Sequence, residues 1–231
     1  MPPSLVLIRH AEALHNVDLK YHSLPDPELT QLGVQQCLEL REHLKATLPT
    51  DRRIELIVVS PMRRTLQTCL TALDWLIDAG VPVIPDARWQ ETQAKPCDTG
   101  TPASILAAEF PSIDFSSLDP VYPDKTSPAG AAYRWSKPAV LARGQSALAD
   151  LYRRSEDVIA VVSHSGFMRA GVTGRWFQNA DYRIFDFEDR TGKDEGEPYR
   201  LVEWEVTKKK GGMGRSREEP VALGAGLPEE T

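Results

Sequence analysis

Three short apolar runs in this sequence end in residues that can handle charge. Leu5–Ile8 leads into Arg9-His10, Ile54–Val59 into Ser60-Pro61-Met62-Arg63-Arg64, and Val158–Val162 into Ser163-His164-Ser165. Brought to one rim, Arg9, His10, Arg63 and His164 make two guanidinium forks and two imidazoles, a set that fits a phosphoryl group. Four potential cations in a cleft repel one another, so the cluster implies an anionic ligand or acidic partners. A neutral imidazole can attack phosphorus and form a phosphohistidine, which splits one displacement into two. Neighbouring arginines lower the pKa of that imidazole and keep it unprotonated. The second imidazole and both arginines would hold the equatorial oxygens as charge spreads over them. This chemistry calls for no metal and no cofactor.

A leaving alkoxide also needs a proton, and the same acid can later serve as base for water. Glu91, in the stretch ARWQETQAKPCDTG, follows a third apolar run closely enough to reach the rim; Asp98 and Glu12 are the alternatives. Arg64 reads as a solvent-facing or ion-paired neighbour of Arg63. His15 and His22 do not make a metal site with His10, because HAEALH lacks the HExxH spacing and i, i+5 residues do not share a helix face.

The elements that must position these groups alternate strand and helix. Continuous apolar runs at Leu5–Ile8, Ile54–Val59, Val81–Ile84 and Val158–Val162 are expected as strands covered on both faces. Helices are expected from Thr30 to Pro49, from Ser60-Pro61 to Gly80 with Ser60 as N-cap, near Pro102–Glu109, over Pro138–Arg154 and after His164. In the first of these, Leu32, Gln36, Leu40 and Leu44 follow helical spacing. Ile184–Phe187 and Leu201–Val206 read as edge strands of a hairpin. The pattern predicts an α/β fold, a three-layer α/β/α sandwich with a mostly parallel central sheet. Ligands of open α/β sheets sit at the carboxyl ends of the strands, which is where the charged residues fall.

One catalytic domain over residues 1–207 is expected, with 92–137 as an inserted lid or substrate loop, because structureless loops of that size usually cover a site. The segment 208–231 mixes basic, Gly-rich and acidic blocks and reads as a mobile tail. A net charge of −6 argues against nucleic acid as partner, so any anion site must be a local cluster. The three cysteines Cys37, Cys69 and Cys97 cannot all pair, the start resembles no signal peptide and no apolar run has membrane-spanning length. A cytoplasmic protein is expected, with a small phosphorylated substrate as partner, no nucleic acid and no membrane; a homodimer is compatible with the sequence.

Taken in order, these residues resemble the histidine phosphatase superfamily, branch 1, the clan of cofactor-dependent phosphoglycerate mutases and fructose bisphosphatase domains. The family's Arg-His-Gly appears as Arg9-His10-Ala11, its downstream Asn as Asn16, and its Leu-Thr-x-x-Gly turn as Leu29-Thr30-Gln31-Leu32-Gly33. Its Ser-Pro-x-x-Arg block is Ser60-Pro61-Met62-Arg63-Arg64 with Gln67-Thr68, its acid segment Gln90-Glu91, and its late histidine block Val162-Ser163-His164-Ser165-Gly166. The resemblance spans residues 4–170 and implies a phosphoglycerate mutase-like fold. It implies His10 as nucleophile, Glu91 as proton donor, Arg9, Arg63 and His164 as phosphate ligands, and Asn16 as a further contact. Ala11 replaces the usual glycine, and Ser165, standing where glycine often follows the histidine, adds a hydroxyl. The absence of aspartate there argues against the acid phosphatase and phytase branch.

Three functions compete on this reading. The leading one is a metal-independent phosphomonoesterase acting on a small metabolite. A phosphoglycerate mutase must clasp a carboxylated substrate, and residues 92–137 carry only Lys95, Lys125, Arg134 and Lys137 as basic groups, which favours hydrolysis. A non-catalytic phospho-ligand module is disfavoured by the intact nucleophile and acid.

Overall fold

Successive residues of the central strands point to opposite faces, and in this chain both faces are apolar. In the computed structural model, which describes residues 1–48, 52–192, 194 and 196–229, six strands form one sheet in the order β3-β2-β4-β1-β5-β6. They are β1 (Ser4–Arg9), β2 (Ile54–Val59), β3 (Val83–Pro85), β4 (Val158–Ser163), β5 (Tyr182–Phe187) and β6 (Leu201–Glu203). β1 and β4, β2 and β4, and β2 and β3 pair parallel, while β5 and β6 extend the sheet antiparallel. Val6, Ile8, Ile57, Val59, Ala160 and Val162 lie in one buried cluster with Cys37, Leu40, Leu66 and Cys69. Leu5, Leu7, Leu56, Val58, Ile159 and Val161 lie in the other with Val140, Leu148 and Phe167. That is the strand period of two, with helices covering both faces.

The helices are α1 (Leu14–Val17), α2 (Gln31–Thr47), α3 (Arg63–Ala72), α4 (Asp74–Asp78), α5 (Ala103–Glu109), α6 (Lys137–Tyr152) and α7 (Ser165–Phe167), which continues into a π turn over Met168–Thr173. Thr30 caps α2, its hydroxyl accepting from Gly33 N at 2.9 Å. The inward face of α2 is Gly33, Cys37, Leu40 and Leu44, whereas Leu32 is exposed. The chain meets β1's following loop so closely here that a Cβ on Gly33 would lie 2.0 Å from Glu12 O. Pro49, expected to end this helix, lies outside the described residues. The single helix expected after Ser60 is two, interrupted at Leu73, and its N-cap is Met62 rather than Ser60. Ser60 is instead committed to His164, as described below.

The segment 92–137 is tied down rather than bare. Lys125 is buried and donates to the carbonyls of Glu91, Gln93 and Asp98 at 2.8, 3.0 and 2.5 Å. Tyr122 OH donates to Pro61 O. The region expected as a mobile tail is described through Glu229 and is held by polar contacts. The buried Asp181 carboxylate accepts from Met213 N, Arg215 N and Ser216 Oγ. Gly224 N donates to Ala170 O, and Lys137 N to Pro228 O. Basic, Gly-rich and acidic blocks suggested mobility; the anchoring is done by backbone groups and by two buried charges, Asp181 just before β5 and Arg183 within it. Among the described residues, no helix is long and apolar enough to cross a membrane.

Candidate active site

The parallel register sets the strand ends level, with Arg9 beside Ser163 and Val59 beside Val162. The next residues therefore meet: His10 N donates to Ser163 O and Ser60 N to Val162 O, each at 3.0 Å. The ring centroids of His10 and His164 lie 5.2 Å apart. His10 is 2% exposed and its Nδ1 lies 2.7 Å from Ala11 O. A carbonyl only accepts, so Nδ1 carries the proton and Nε2 keeps a free lone pair. His164 Nε2 is 2.8 Å from Ser60 Oγ, and its buried Nδ1 has no partner. With the hydroxyl donating to Nε2, Nδ1 carries the proton and can donate to an oxyanion.

Burial, with the charges of Arg64 and Arg9 after it, holds His10 well below the usual imidazole range. Burial and then Arg64 and His10 do the same to His164. Both rings are thus neutral at pH 7, as a nucleophile and a hydrogen-bond donor at phosphorus require. Arg9 donates Nη1 to Phe177 O at 3.0 Å, and burial brings its pKa down to about 10.

The second guanidinium is Arg64, which corrects the expectation of Arg63. Arg64 is wholly buried, donates Nη1 to Cys97 O at 2.6 Å and Nη2 to Asp98 Oδ1 at 3.2 Å, and leaves Nε unpartnered. Its charge acts on His10, His15, His164 and Arg9. Arg63 turns outward into an ion pair with Glu109, 2.6 Å at its closest. Adjacent helical residues point about 100° apart, so only one of the two can face the rim. Thr68, four residues after Arg64, shares its face and accepts from Ala11 N at 3.0 Å.

Glu91 stands at the same rim. Its Oε1 accepts from Thr92 N at 2.8 Å and its Oε2 from Gly166 N at 3.2 Å. A Cβ on Gly166 would lie 2.4 Å from Oε1, so the residue after Ser165 must be glycine for the carboxylate to sit there. Asp98 is beside it, committed to Arg64, with its pKa raised by burial and by the Glu91 charge. Glu12 is excluded as the acid by position: its Oε1 accepts from Thr30 Oγ1 at 2.7 Å, bracing a turn.

Arg9, Glu91 and Asp98 of this cluster line a cleft of about 590 Å³ together with His15, Asn16 and Ser165, while His10, Arg64 and His164 lie buried. Asn16 is positioned by accepting from Ala13 N and Asn179 Nδ2, each at 3.1 Å. His15, which sequence reasoning weighed only as a metal ligand, packs 5.6 Å from the His10 ring, and burial with the Arg64 charge pulls its pKa to about 2. Trp135 lines the cleft, while Trp89 and Phe167 are core residues packed edge to face. The far wall holds residues that no local motif signalled: Arg169, Trp176, Arg215 and Arg217.

The family profile described as Histidine phosphatase superfamily (branch 1) matches residues 5–188. Phosphoglycerate mutase-like protein 1 of Arabidopsis thaliana is 32% identical over 198 residues, spanning 71% of this chain and 69% of the relative. A protein named probable phosphatase in Schizosaccharomyces pombe is 34% identical over 181 residues, spanning 76% of this chain and 77% of its own. Among solved structures, the ecdysone phosphate phosphatase of Bombyx mori superposes with a TM-score of 0.57 at 16% identity, over 87% of this chain and 92% of that one. The α-ribazole phosphatase of Shigella flexneri gives 0.54 at 18%, over 87% and 95%. At such identities the structures speak to the fold alone.

Proposed function

Because the chain belongs to branch 1 of the histidine phosphatase superfamily, we propose that it is a phosphomonoesterase that hydrolyses a small phosphorylated metabolite through a phosphohistidine at His10. The observation that carries this reading is the 2.7 Å approach of His10 Nδ1 to Ala11 O, which assigns the proton to Nδ1 and leaves the Nε2 lone pair for phosphorus on a ring set among Arg9, Arg64 and His164. Nε2 attacks phosphorus as the ester P–O bond breaks. Positive charge developing on the ring is stabilised through Nδ1–H by the Ala11 carbonyl. Arg9, Arg64 and His164 Nδ1–H hold the equatorial oxygens, which carry the growing charge. Glu91 gives its proton to the leaving alkoxide. In the second half, water attacks phosphorus, its proton passes to Glu91, and the N–P bond breaks to release phosphate and neutral His10. Asn16 and Ser165 line the entrance and offer further polar contacts.

A mutase reading draws support from the far wall. The scarcity of basic groups in 92–137 favoured hydrolysis, yet Arg169, Arg215 and Arg217 reach the cleft from elsewhere in the chain. The test supplies 3-phosphoglycerate with and without 2,3-bisphosphoglycerate, and other phosphorylated metabolites without added metal. Phosphate release exceeding isomerisation is expected; the opposite ratio would replace hydrolase by mutase. A binding module without catalysis would release no phosphate from any ester.

A further inference from the structure

Beyond the phosphoryl site, the cleft carries a second cationic group that the chemistry at His10 does not use. Arg169, on the π turn after α7, lies over the Trp176 ring at 4.2 Å from its centroid. Arg217, from the C-terminal segment, covers the same ring at 4.9 Å. All three line the cleft with Arg9 and Glu91. Neighbouring Arg175 and Arg215 are neutralised by Glu203 and Glu39. Among the described residues, Arg169 and Arg217 have no such carboxylate, and Arg169 Nε is buried without a hydrogen-bond partner.

Two unneutralised guanidiniums around one ring would drift apart unless the backbone held them. It does so through Arg183, which is fully buried and paired with Glu203 at 2.6 Å. Arg183 donates Nε to Trp176 O and Nη2 to Arg217 O, both at 2.9 Å. One buried side chain thus fixes the chain on both sides of the stack, and Asp181 fixes the segment just before Arg217 through Arg215 N and Ser216 Oγ. The next residue, Phe177, accepts from Arg9 Nη1. The ring residue of the outer stack and the carbonyl that holds the phosphoryl-binding arginine are thus consecutive in the chain, and both arginine groups line one cleft of about 590 Å³. Stacking on an aromatic face orients a guanidinium while leaving its N–H edge free for a planar or tetrahedral anion.

We propose that Arg169 and Arg217 bind a second anionic group of the substrate, a carboxylate or phosphate joined to the scissile phosphoryl group by a short chain, so that the substrates are doubly anionic phosphomonoesters. This rests on the reading of the inner site as phosphoryl-binding. Calorimetric titration can separate the two. The probes are propylphosphonate and pentylphosphonate, set against 3-phosphonopropionate and 5-phosphonopentanoate. The added carboxylate is expected to raise affinity tenfold or more at one or both lengths, and the Arg169→Gln/Arg217→Gln double variant should lose that gain. Arg217→Gln alone, at an exposed position where folding is not at stake, should lose threefold or more. A carboxylate that adds nothing at either length, or a gain that survives the double variant, overturns the second-anion site while alkylphosphonate binding leaves the inner site standing. If no phosphonate binds at all, the inner-site reading falls and this inference falls with it.

Discussion

Replacing Arg64 by Gln should remove the cation that acts on both imidazoles while leaving the adjacent Arg63 in place. In the transition state, loss of one preorganised donor costs about 2.7–4 kcal/mol, a factor of about 10²–10³ in kcat. The fold pays separately, since Asp98, 13% exposed at its side chain, would lose its partner, and breaking a buried pair by removing one member costs about 3–5 kcal/mol. A third effect has a definite sign. Arg64 lowers the pKa of His10 and His164, so its removal should move the acid limb of the kcat/KM profile to higher pH. Arg63→Gln breaks an outward pair whose side chains are 20% and 36% exposed, worth under about 1 kcal/mol, and activity should fall by less than about threefold. Phosphate release from p-nitrophenyl phosphate across pH 5–8, with urea unfolding of each variant, reads all three effects. A hundredfold loss in Arg63→Gln with near-parental Arg64→Gln would refute this assignment of the guanidinium.

Three further outcomes are expected. Glu91→Gln should slow alkyl phosphates about 10²-fold or more, the lower range for a general acid, and p-nitrophenyl phosphate far less; equal slowing of both would transfer the role to Asp98. His10 and His164 are favoured neutral in the fold, so their contribution is complete above pH ~6.5 and is lost as pH falls toward their depressed folded values. At about 1.36 kcal/mol per pH unit each, these two rings should lower urea stability by up to about 4 kcal/mol between pH 6.5 and 5, with His15 adding a loss of the same sign; a flat profile would place these rings in solvent. Lys125→Met leaves the carbonyls of Glu91, Gln93 and Asp98 without their shared donor. At about 1–3 kcal/mol for a buried acceptor left unsatisfied, it should cost about 3 kcal/mol or more of stability and lower kcat with it, and parental values for both would show that the clamp is dispensable.

The strands and the layer order were legible because runs such as Leu5–Ile8 and Val158–Val162 are apolar on both faces and admit one kind of environment. Arg9, His10, His164 and Glu91 were legible because each closes or follows such a run. Arg64 was not, since Arg63 and Arg64 are chemically identical and only helical phase separates them. The available signal was Arg64 and Thr68 at i, i+4, which put both on the face of α3 that meets Ala11. The contacts of the segment 208–231 were not legible, because its own residues look soluble; they are made to Asp181, just before β5, and to Arg183 within it, buried charges that make sense only once their backbone partners are in place.

Hydrolysis by this route requires His10 Nε2 to be the atom that takes the phosphoryl group. Enzyme mixed with labelled phosphomonoester, quenched within a turnover and mapped by peptide, should carry an acid-labile, base-stable phosphoryl label on the peptide containing His10, and none in His10→Ala. Rapid phosphate release with no trapped label on His10, or release that persists in His10→Ala, would contradict it.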